Sequence, residues 1–169
     1  MLCAEYSDRT VRIYDATTGA ASGEAWTTGQ SGYIRAIAIS PDNKVLAAGS
    51  DDCTIVLYDM DRRSTINQPL KGHTAVRIFE LGSQNSADLG VAQGIRSLAF
   101  SKDGQLLASG SDDYSVRLWN VRTGKKACDP LYGHTSYVSS VKFSPDMKQL
   151  LAGEFVAHKN RQMLSDRTF

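Results

Sequence analysis

The sequence predicts an all-β fold made of small antiparallel sheets that repeat along the chain. One motif occurs three times, as YSDRTVRIYD from Tyr6, SDDCTIVLYD from Ser50 and SDDYSVRLWN from Ser111. In each copy an Asp is followed, after two residues, by alternating apolar positions that end at an aromatic residue. A second motif, read as IRAIAISPDNKVLAAGS from Ile34, recurs from Ile95 and Val138. Alternation in short stretches bounded by turn residues is typical of strands in antiparallel sheets.

Each repeat is predicted to contain four strands. In the copy that starts at Ile95, IRSLAF alternates, SKDG has turn chemistry, QLLAS follows, and the Asp112-Asp113 pair turns the chain into SVRLW. A fourth strand is predicted before each Gly-His pair, around Leu70 and Leu131. Four strands in about 43 residues correspond to one blade of a propeller. The predicted strands lie near 10 to 15, 34 to 39, 44 to 49, 54 to 59, 95 to 100, 105 to 109, 115 to 120 and 138 to 143.

Paired residues at the ends of these units resemble a known signature. They are Gly72-His73, Gly133-His134 and Trp119-Asn120, with Tyr58-Asp59 and Tyr14-Asp15 as substituted copies. Together they resemble the GH…WD signature of WD40 repeats, and phrases of the form TG…PL.GH resemble repetitive arrays of large fungal and bacterial scaffold or NTPase proteins. The resemblance implies an incomplete β-propeller of about three four-stranded antiparallel WD40 blades. It assigns residues 1–153 to the repeat region and 154–169 to a non-repeat C-terminal tail.

The resemblance also implies a structural role for one set of polar residues. In the family a His, a Ser or Thr, an Asp and a Trp form a hydrogen-bonded chain that ties a blade together, and the full set here is His73, Ser109, Asp113 and Trp119. A catalytic triad is the alternative for His, Asp and Ser, but the sequence has no nucleophile elbow or oxyanion loop to accompany it. The other repeats keep the turn Asp and lose the chain, since Gln30, Ala48 and Tyr58 replace its other members around Asp52, and Ala4 and Tyr14 accompany Asp8.

Partner-binding positions follow from the resemblance as well. In the family the top face is built by loops that enter the first strand and by the turn before the third strand. The third and fifth residues after the His, and the residue before the turn Asp, are therefore expected to point outward. These residues, here named the rim, are Tyr33, Arg35, Asp51, Arg96, Asp112, Tyr137 and Ser139. Tyr and Arg are common contributors to binding energy in protein interfaces.

Composition and motifs favour a binding protein over an enzyme. The formal net charge of +1 gives no general attraction to nucleic acids or acidic membranes, and Arg12, Arg117 and Tyr33 alternate with apolar positions as solvated strand residues do. The three cysteines form no CxxC pair, the histidines lack metal-ligand spacing, and no phosphate-binding motif occurs, so no cofactor or metal is expected. No apolar run reaches the length of a signal core or bilayer span, which predicts a cytoplasmic or nuclear protein without a membrane partner.

Two segments interrupt the repeat. The interval from His73 to Phe100 is 27 residues, whereas His134 to Phe143 takes nine, which identifies 76–93 as an insertion of 18 residues. Two interpretations are open: a genuine loop, irregular or loosely held, and a translated, unspliced intron. The tail 154–169 is either frameshifted, intronic or alternatively spliced sequence, or a frayed helical or disordered terminus. About three units cannot close a ring alone, so open blade edges are expected to favour self-association.

The leading functional hypothesis is a non-catalytic scaffold that binds other proteins. A sensor or regulatory segment of a larger NTPase or kinase-linked protein is the enzyme-linked alternative. A non-functional truncated gene-model fragment is the third.

Overall fold

The computed structural model describes residues 2–5, 9–74, 94–155 and 165–168 as thirteen strands in four antiparallel sheets. The first sheet contains β1 (Leu2–Glu5), β2 (Thr10–Tyr14) and β3 (Trp26–Thr27). The second contains β4 (Ile34–Ile39), β5 (Val45–Ser50), β6 (Thr54–Asp59) and β7 (Ser64–Lys71). The third contains β8 (Ile95–Phe100), β9 (Leu106–Ser111) and β10 (Val116–Asn120). The fourth contains β11 (Val138–Phe143), β12 (Leu150–Glu154) and β13 (Ser165–Thr168).

The predicted all-β fold is confirmed, and each predicted strand lies within two residues of an observed one. Four regular strands occur in the second sheet, whereas in the third the fourth position beside β10 carries the isolated bridges Val116↔Leu131 and Trp119↔Lys126. The tail was not predicted to pair, yet β13 pairs with β12. The predicted insertion 76–93 lies outside the described residues. Within the described ranges no helix has the length and apolar character needed to cross a lipid bilayer.

A short polar turn joins the first and second strands of each of the last three sheets. In the second sheet Ser40 Oγ donates to Asp42 Oδ1 at 2.6 Å and accepts from the Val45 N–H at 2.9 Å. Ser101 with Asp103, and Ser144 with Asp146, repeat this arrangement. One residue of each turn has left-handed backbone, namely Asn43, Gly104 and Met147. The turns close locally, through residues at most five apart.

Consecutive sheets pack face to face, with the first strands β4, β8 and β11 side by side. The first and second sheets enclose Val11, Ile34 and Leu46. The second and third enclose Ile55, Leu57, Ile95, Leu107 and Trp119, and the third and fourth enclose Val116, Val138, Val141 and Leu150. Each first strand has a register irregularity at the same place, directly after its first residue. The apolar core is therefore a series of similar junctions.

A glycine of each second strand makes room for the next sheet. A Cβ at Gly49 would lie 2.6 Å from Cγ2 of Ile95, and one at Gly110 would lie 2.7 Å from Cγ1 of Val138. Both distances are shorter than non-bonded carbons tolerate, so each glycine is a recess for the β-branched residue that begins the next first strand.

Candidate functional site

The third sheet brings His73, Ser109, Asp113 and Trp119 together as one buried polar chain. The four come from the loop after β7, from β9, from the turn after β9 and from β10. Gly72 allows the loop to approach, because a Cβ there would lie 3.1 Å from the Trp119 ring. Ser109 lies near the middle of β9, in register with Arg117. Strand pairing and a small residue before the His thus position the set.

The chain of hydrogen bonds runs in one direction. Trp119 Nε1–H donates to Ser109 Oγ at 2.8 Å, and Ser109 Oγ lies 2.8 Å from His73 Nε2. His73 Nδ1 lies 2.9 and 3.0 Å from the two oxygens of Asp113. A neutral imidazole with its proton on Nδ1 fits the contacts with Ser109 and Asp113, since Ser109 donates to Nε2 and Nδ1 donates to the carboxylate.

Three further residues hold the Asp113 carboxylate, and the sequence did not identify them. Ser115 Oγ donates to it at 2.6 Å, and the Thr74 N–H donates at 3.0 Å. Nη2 of Arg117 lies 3.7 Å from Oδ2. Arg117 was predicted to be a solvated strand residue, and this is wrong: it is buried, because it shares a strand face with Trp119.

Burial and hydrogen bonding set the charges of the pair. Burial lowers the pKa of His73, and this exceeds the opposing effect of Asp113. Burial raises the pKa of Asp113, but other contacts lower it by more. These are the hydrogen bonds with His73 and the charge of that residue, followed by the Ser115 hydroxyl and the Thr74 N–H. The pKa of Asp113 therefore lies well below its usual range. At neutral pH the set contains an uncharged imidazole and a carboxylate.

The arrangement differs from a catalytic triad in access and in hydrogen bonding. Ser109 is fully buried, and its oxygen already accepts a hydrogen bond from Trp119 and makes a second one with His73. A nucleophile must present its oxygen to a substrate, which this serine does not do. The geometry suits a structural tie between the loop and two strands.

The second sheet contains a different link at the same place. Gln30 Nε2 donates to the Thr54 hydroxyl at 3.0 Å and to the Ala48 carbonyl at 3.3 Å, and Thr54 Oγ1 donates to Asp52 at 2.6 Å. Asp52 also accepts from the Ser31 N–H at 2.7 Å. The prediction that the set is incomplete here is consistent with this geometry, but a glutamine and a threonine replace part of it.

The fourth sheet uses a glutamate. His134 Nδ1 lies 3.0 Å from Glu154 Oε2, and the same oxygen accepts from the Thr135 N–H at 2.7 Å. Asp113 makes the matching two contacts with His73 and Thr74. Asp52 and Asp113 follow Gly49 and Gly110 by three residues, and the corresponding position after Gly153 is Val156. The acid is supplied instead by Glu154, two residues earlier, whose side chain is longer by one methylene and which the sequence analysis did not identify. The signal in the sequence was an acidic residue at the end of the strand LLAGE, in a repeat that also contains the Gly133-His134 pair.

The rim residues of the second sheet lie together on the surface. The Arg35 side chain binds Asp51 through Nε at 2.9 Å and Nη2 at 2.7 Å. The guanidinium carbon lies 5.7 Å from the centre of the Tyr33 ring, and Tyr33 is 53% exposed. This part of the rim is an aromatic ring beside a paired guanidinium.

A related unit forms between the third and fourth sheets. Arg96 Nε donates to Asp112 at 2.8 Å, and the Arg96 guanidinium lies 5.4 Å from the ring centre of Tyr137. Asp112 was expected to point outward, and this is wrong: it is buried, because its second oxygen accepts from the Gly94 N–H at 3.0 Å. A position within the repeat does not show which side chains accept from backbone N–H groups, so the sequence did not indicate the burial of Asp112.

In the fourth sheet the rim changes character. Ser139 is exposed and stands where the preceding sheets have arginine, and Phe155 stands where they have aspartate. Phe155 stacks on Tyr137 with ring centres 5.3 Å apart and is 46% exposed. The sequence did not single out Phe155, although it follows Gly153 by two residues, as Asp51 follows Gly49 and Asp112 follows Gly110.

Comparison with known proteins gives the family. The family model described as "WD domain, G-beta repeat" matches residues 24–59, 87–120 and 125–159, which together exceed half of the chain. Nuclear distribution protein nudF 2 of Aspergillus clavatus is 38% identical over 114 residues, covering 67% of this chain and 22% of the relative. Apoptotic protease-activating factor 1 of Rattus norvegicus is 30% identical over 153 residues, covering 86% of this chain and 11% of the relative. Guanine nucleotide-binding protein subunit beta-5b of Danio rerio is 32% identical over 115 residues, covering 68% of this chain and 25% of the relative.

The chain therefore spans a quarter or less of the length of each of these relatives. Its matched segments contain the first three strands of the second and third sheets and the first two strands of the fourth. The sequence signature, the sheets and the family match agree, and the chain belongs to the WD40-repeat family.

Proposed function

We propose that the chain is a non-catalytic interaction module that binds another protein through its rim. The observation that carries this proposal is a pair of arginine-aromatic units at the surface, the exposed Arg35 with Tyr33 and the half-buried Arg96 with Tyr137. Aromatic and arginine side chains supply much of the binding energy at protein interfaces. Each guanidinium is already oriented by an aspartate, so little conformational freedom remains to be lost on binding.

The relatives support a role in assemblies. The name of the zebrafish relative describes a subunit, as does that of the mouse relative, Target of rapamycin complex subunit LST8. A protein partner is therefore the class we propose, reached through a surface held rigid by the buried polar chain.

A triple variant tests the proposal. Peptides that bind the purified chain are selected from a displayed random library, and their affinities are measured by fluorescence polarisation. Replacing Tyr33, Arg35 and Tyr137 with alanine should weaken binding by about tenfold or more, with little change in unfolding midpoint. Arg12→Ala is the control, because Arg12 is exposed on β2, outside the rim. Selected peptides that bind the triple variant as tightly as the parent would refute the assignment.

A second candidate is a regulatory segment of a larger NTPase-linked or kinase-linked protein. The match to a protease-activating factor along 86% of this chain, but only 11% of that relative, favours it. A phosphate-binding motif in frame upstream in the genomic sequence would support this candidate, and an upstream sequence without one would count against it.

A further inference from the structure

The turn after the third strand follows one plan in the first and third sheets. A side-chain oxygen accepts from the hydroxyl of the threonine three residues later, and a glycine with left-handed backbone comes next. These residues are Asp15, Thr18 and Gly19 in the first sheet, and Asn120, Thr123 and Gly124 in the third. The hydroxyl closes the turn, and the glycine adopts the required backbone conformation without strain.

In the second sheet two arginines take these places. The acceptor is Asp59, and Arg62 and Arg63 stand where the other two sheets have threonine and glycine. The Arg62 N–H still donates to Asp59 at 2.8 Å, but the hydroxyl of the other turns is missing. Arg63 has a φ of 53°, in the left-handed region that favours glycine. Departures from local preference concentrate at functional positions, which makes this arginine pair a candidate site.

Both guanidinium groups are available to an acidic partner. The Arg62 side chain is 83% exposed, and its Nε lies 3.8 Å from an oxygen of Asp59. An exposed contact of this length is weak and is easily exchanged for another. Arg63 is exposed and makes no ion pair with any residue that the structure describes. The pair is therefore better suited to recognition than to stabilising the turn.

Two hydroxyl groups follow the arginines at the start of β7. Ser64 and Thr65 are exposed, and neither hydroxyl makes a hydrogen bond within the described ranges. The second sheet packs against a neighbouring sheet on each face, and β7 is its outermost strand. These hydroxyls are thus at the surface although both adjoining sheets are present.

The strand β7 is loosely joined to the rest of its sheet. Six of its eight residues are exposed, and Leu70 and the half-buried Ile66 are its contacts with the apolar core. Ile66 pairs with Leu57 and Leu70 pairs with Ile55, so β7 takes four steps where β6 takes two. An edge segment with few buried contacts opens locally at low cost. Residues 62–66 can therefore enter the groove of an enzyme in extended form.

We propose that Thr65 is phosphorylated by a protein kinase whose substrate groove is acidic. Such a groove binds Arg62 and Arg63, which lie three and two positions before the hydroxyl, by charge complementarity. In an extended chain Arg63 and Thr65 lie on the same side, so one acidic site beside the reacting phosphate contacts the arginine. Thr65 is favoured over Ser64 because the apolar Ile66 follows it directly and adds an uncharged contact that fixes the register.

The reaction is a phosphoryl transfer from ATP. A bond forms between Thr65 Oγ1 and the γ-phosphorus, and the bond between that phosphorus and the oxygen bridging to the β-phosphate breaks. ADP leaves, and the hydroxyl proton passes to a carboxylate of the kinase. The product adds about two negative charges at neutral pH, two residues from the unpaired Arg63 guanidinium, which can bind the new phosphate.

The purified chain is incubated with ATP and the catalytic subunit of cyclic AMP-dependent protein kinase, an enzyme with an acidic groove for paired arginines. Fragment mass spectrometry should place the phosphate on Thr65. Thr65→Val keeps the shape of the side chain and should abolish incorporation, whereas Ser64→Ala should leave the initial rate unchanged. Circular dichroism and unfolding midpoints establish that the variants fold.

A variant that copies the turn of the third sheet separates recognition from exposure. Arg62→Thr combined with Arg63→Gly restores the threonine and glycine of that turn, so the fold should be at least as stable as the parent. The initial rate of phosphorylation should nevertheless fall at least about tenfold, because both positive charges are lost. A parent chain that stays unmodified, phosphate on Ser64 that persists in Thr65→Val, or a double variant modified at the parent's rate overturns the proposal.

Discussion

In the third sheet an imidazole joins the loop before the first strand to the turn before the third, whereas in the second sheet the amide of Gln30 occupies the same place. His73 reaches Asp113 directly, and Gln30 reaches Asp52 through the Thr54 hydroxyl. The side chains of His73 and Asp113 are both buried, while Ser31 and Asp52 are more exposed. The constant element is an acid that accepts from the backbone N–H following the His or Gln, and the side chain between is exchangeable.

Removal of the acid should have the largest effect and should separate the two sheets. Asp113→Ala removes the acceptor of the buried His73 and Ser115 side chains and of the Thr74 N–H, and should lower the free energy of unfolding by about 3 kcal/mol. Asp52→Ala should lower it by about 1 kcal/mol, since water reaches its donors more easily. Chemical denaturation measures both. The sequence predicts a smaller loss for Asp8→Ala than for Asp113→Ala, although Asp8 lies outside the described residues. Equal midpoints for the variants would contradict the comparison.

Replacement of the rim arginine in the third sheet should also destabilise the chain more than replacement of the rim arginine in the second. Arg96→Ala removes the Arg96 contact of the buried Asp112 and keeps its contact with the Gly94 N–H. It should lower the free energy of unfolding by about 1 to 2 kcal/mol. Arg35→Ala breaks an ion pair whose members are accessible to water and should cost about 0.5 kcal/mol or less. Thermal unfolding of both variants at two salt concentrations checks this. A larger loss for Arg35→Ala would show that Asp112 is held by the backbone alone.

A pH series should give the smallest effect. Because folding lowers the pKa of His73, the unfolded chain takes up a proton below its ordinary pKa of 6.5 before the folded chain does, and stability falls as the pH drops below that value. His73→Gln copies the link of the second sheet and removes this proton. The difference in unfolding free energy between parent and variant should therefore shrink between about pH 7 and pH 5. A constant difference would mean that His73 titrates alike in both states.

Strand positions were predictable because apolar alternation and turn residues act locally. The buried set was predictable because its spacing matches a signature. Arg117 was misjudged because alternation gives the face of a strand and not what covers that face. Trp119 shares that face, so burial of one implied burial of the other. Glu154 and the Gln30-Thr54 link depend on side-chain reach, which repeat spacing does not encode.

The local turns of the fold have a kinetic consequence. The Ser40, Ser101 and Ser144 turns join residues at most five apart, so each hairpin can close early at little loss of chain entropy. His73 and Asp113 are separated by 40 residues, so we expect their contact to form after the local hairpins have closed. Contacts that form after the rate-limiting step slow unfolding and leave the folding rate nearly unchanged. We therefore expect the buried polar chain to slow unfolding of the third sheet and to leave the folding rate nearly unchanged.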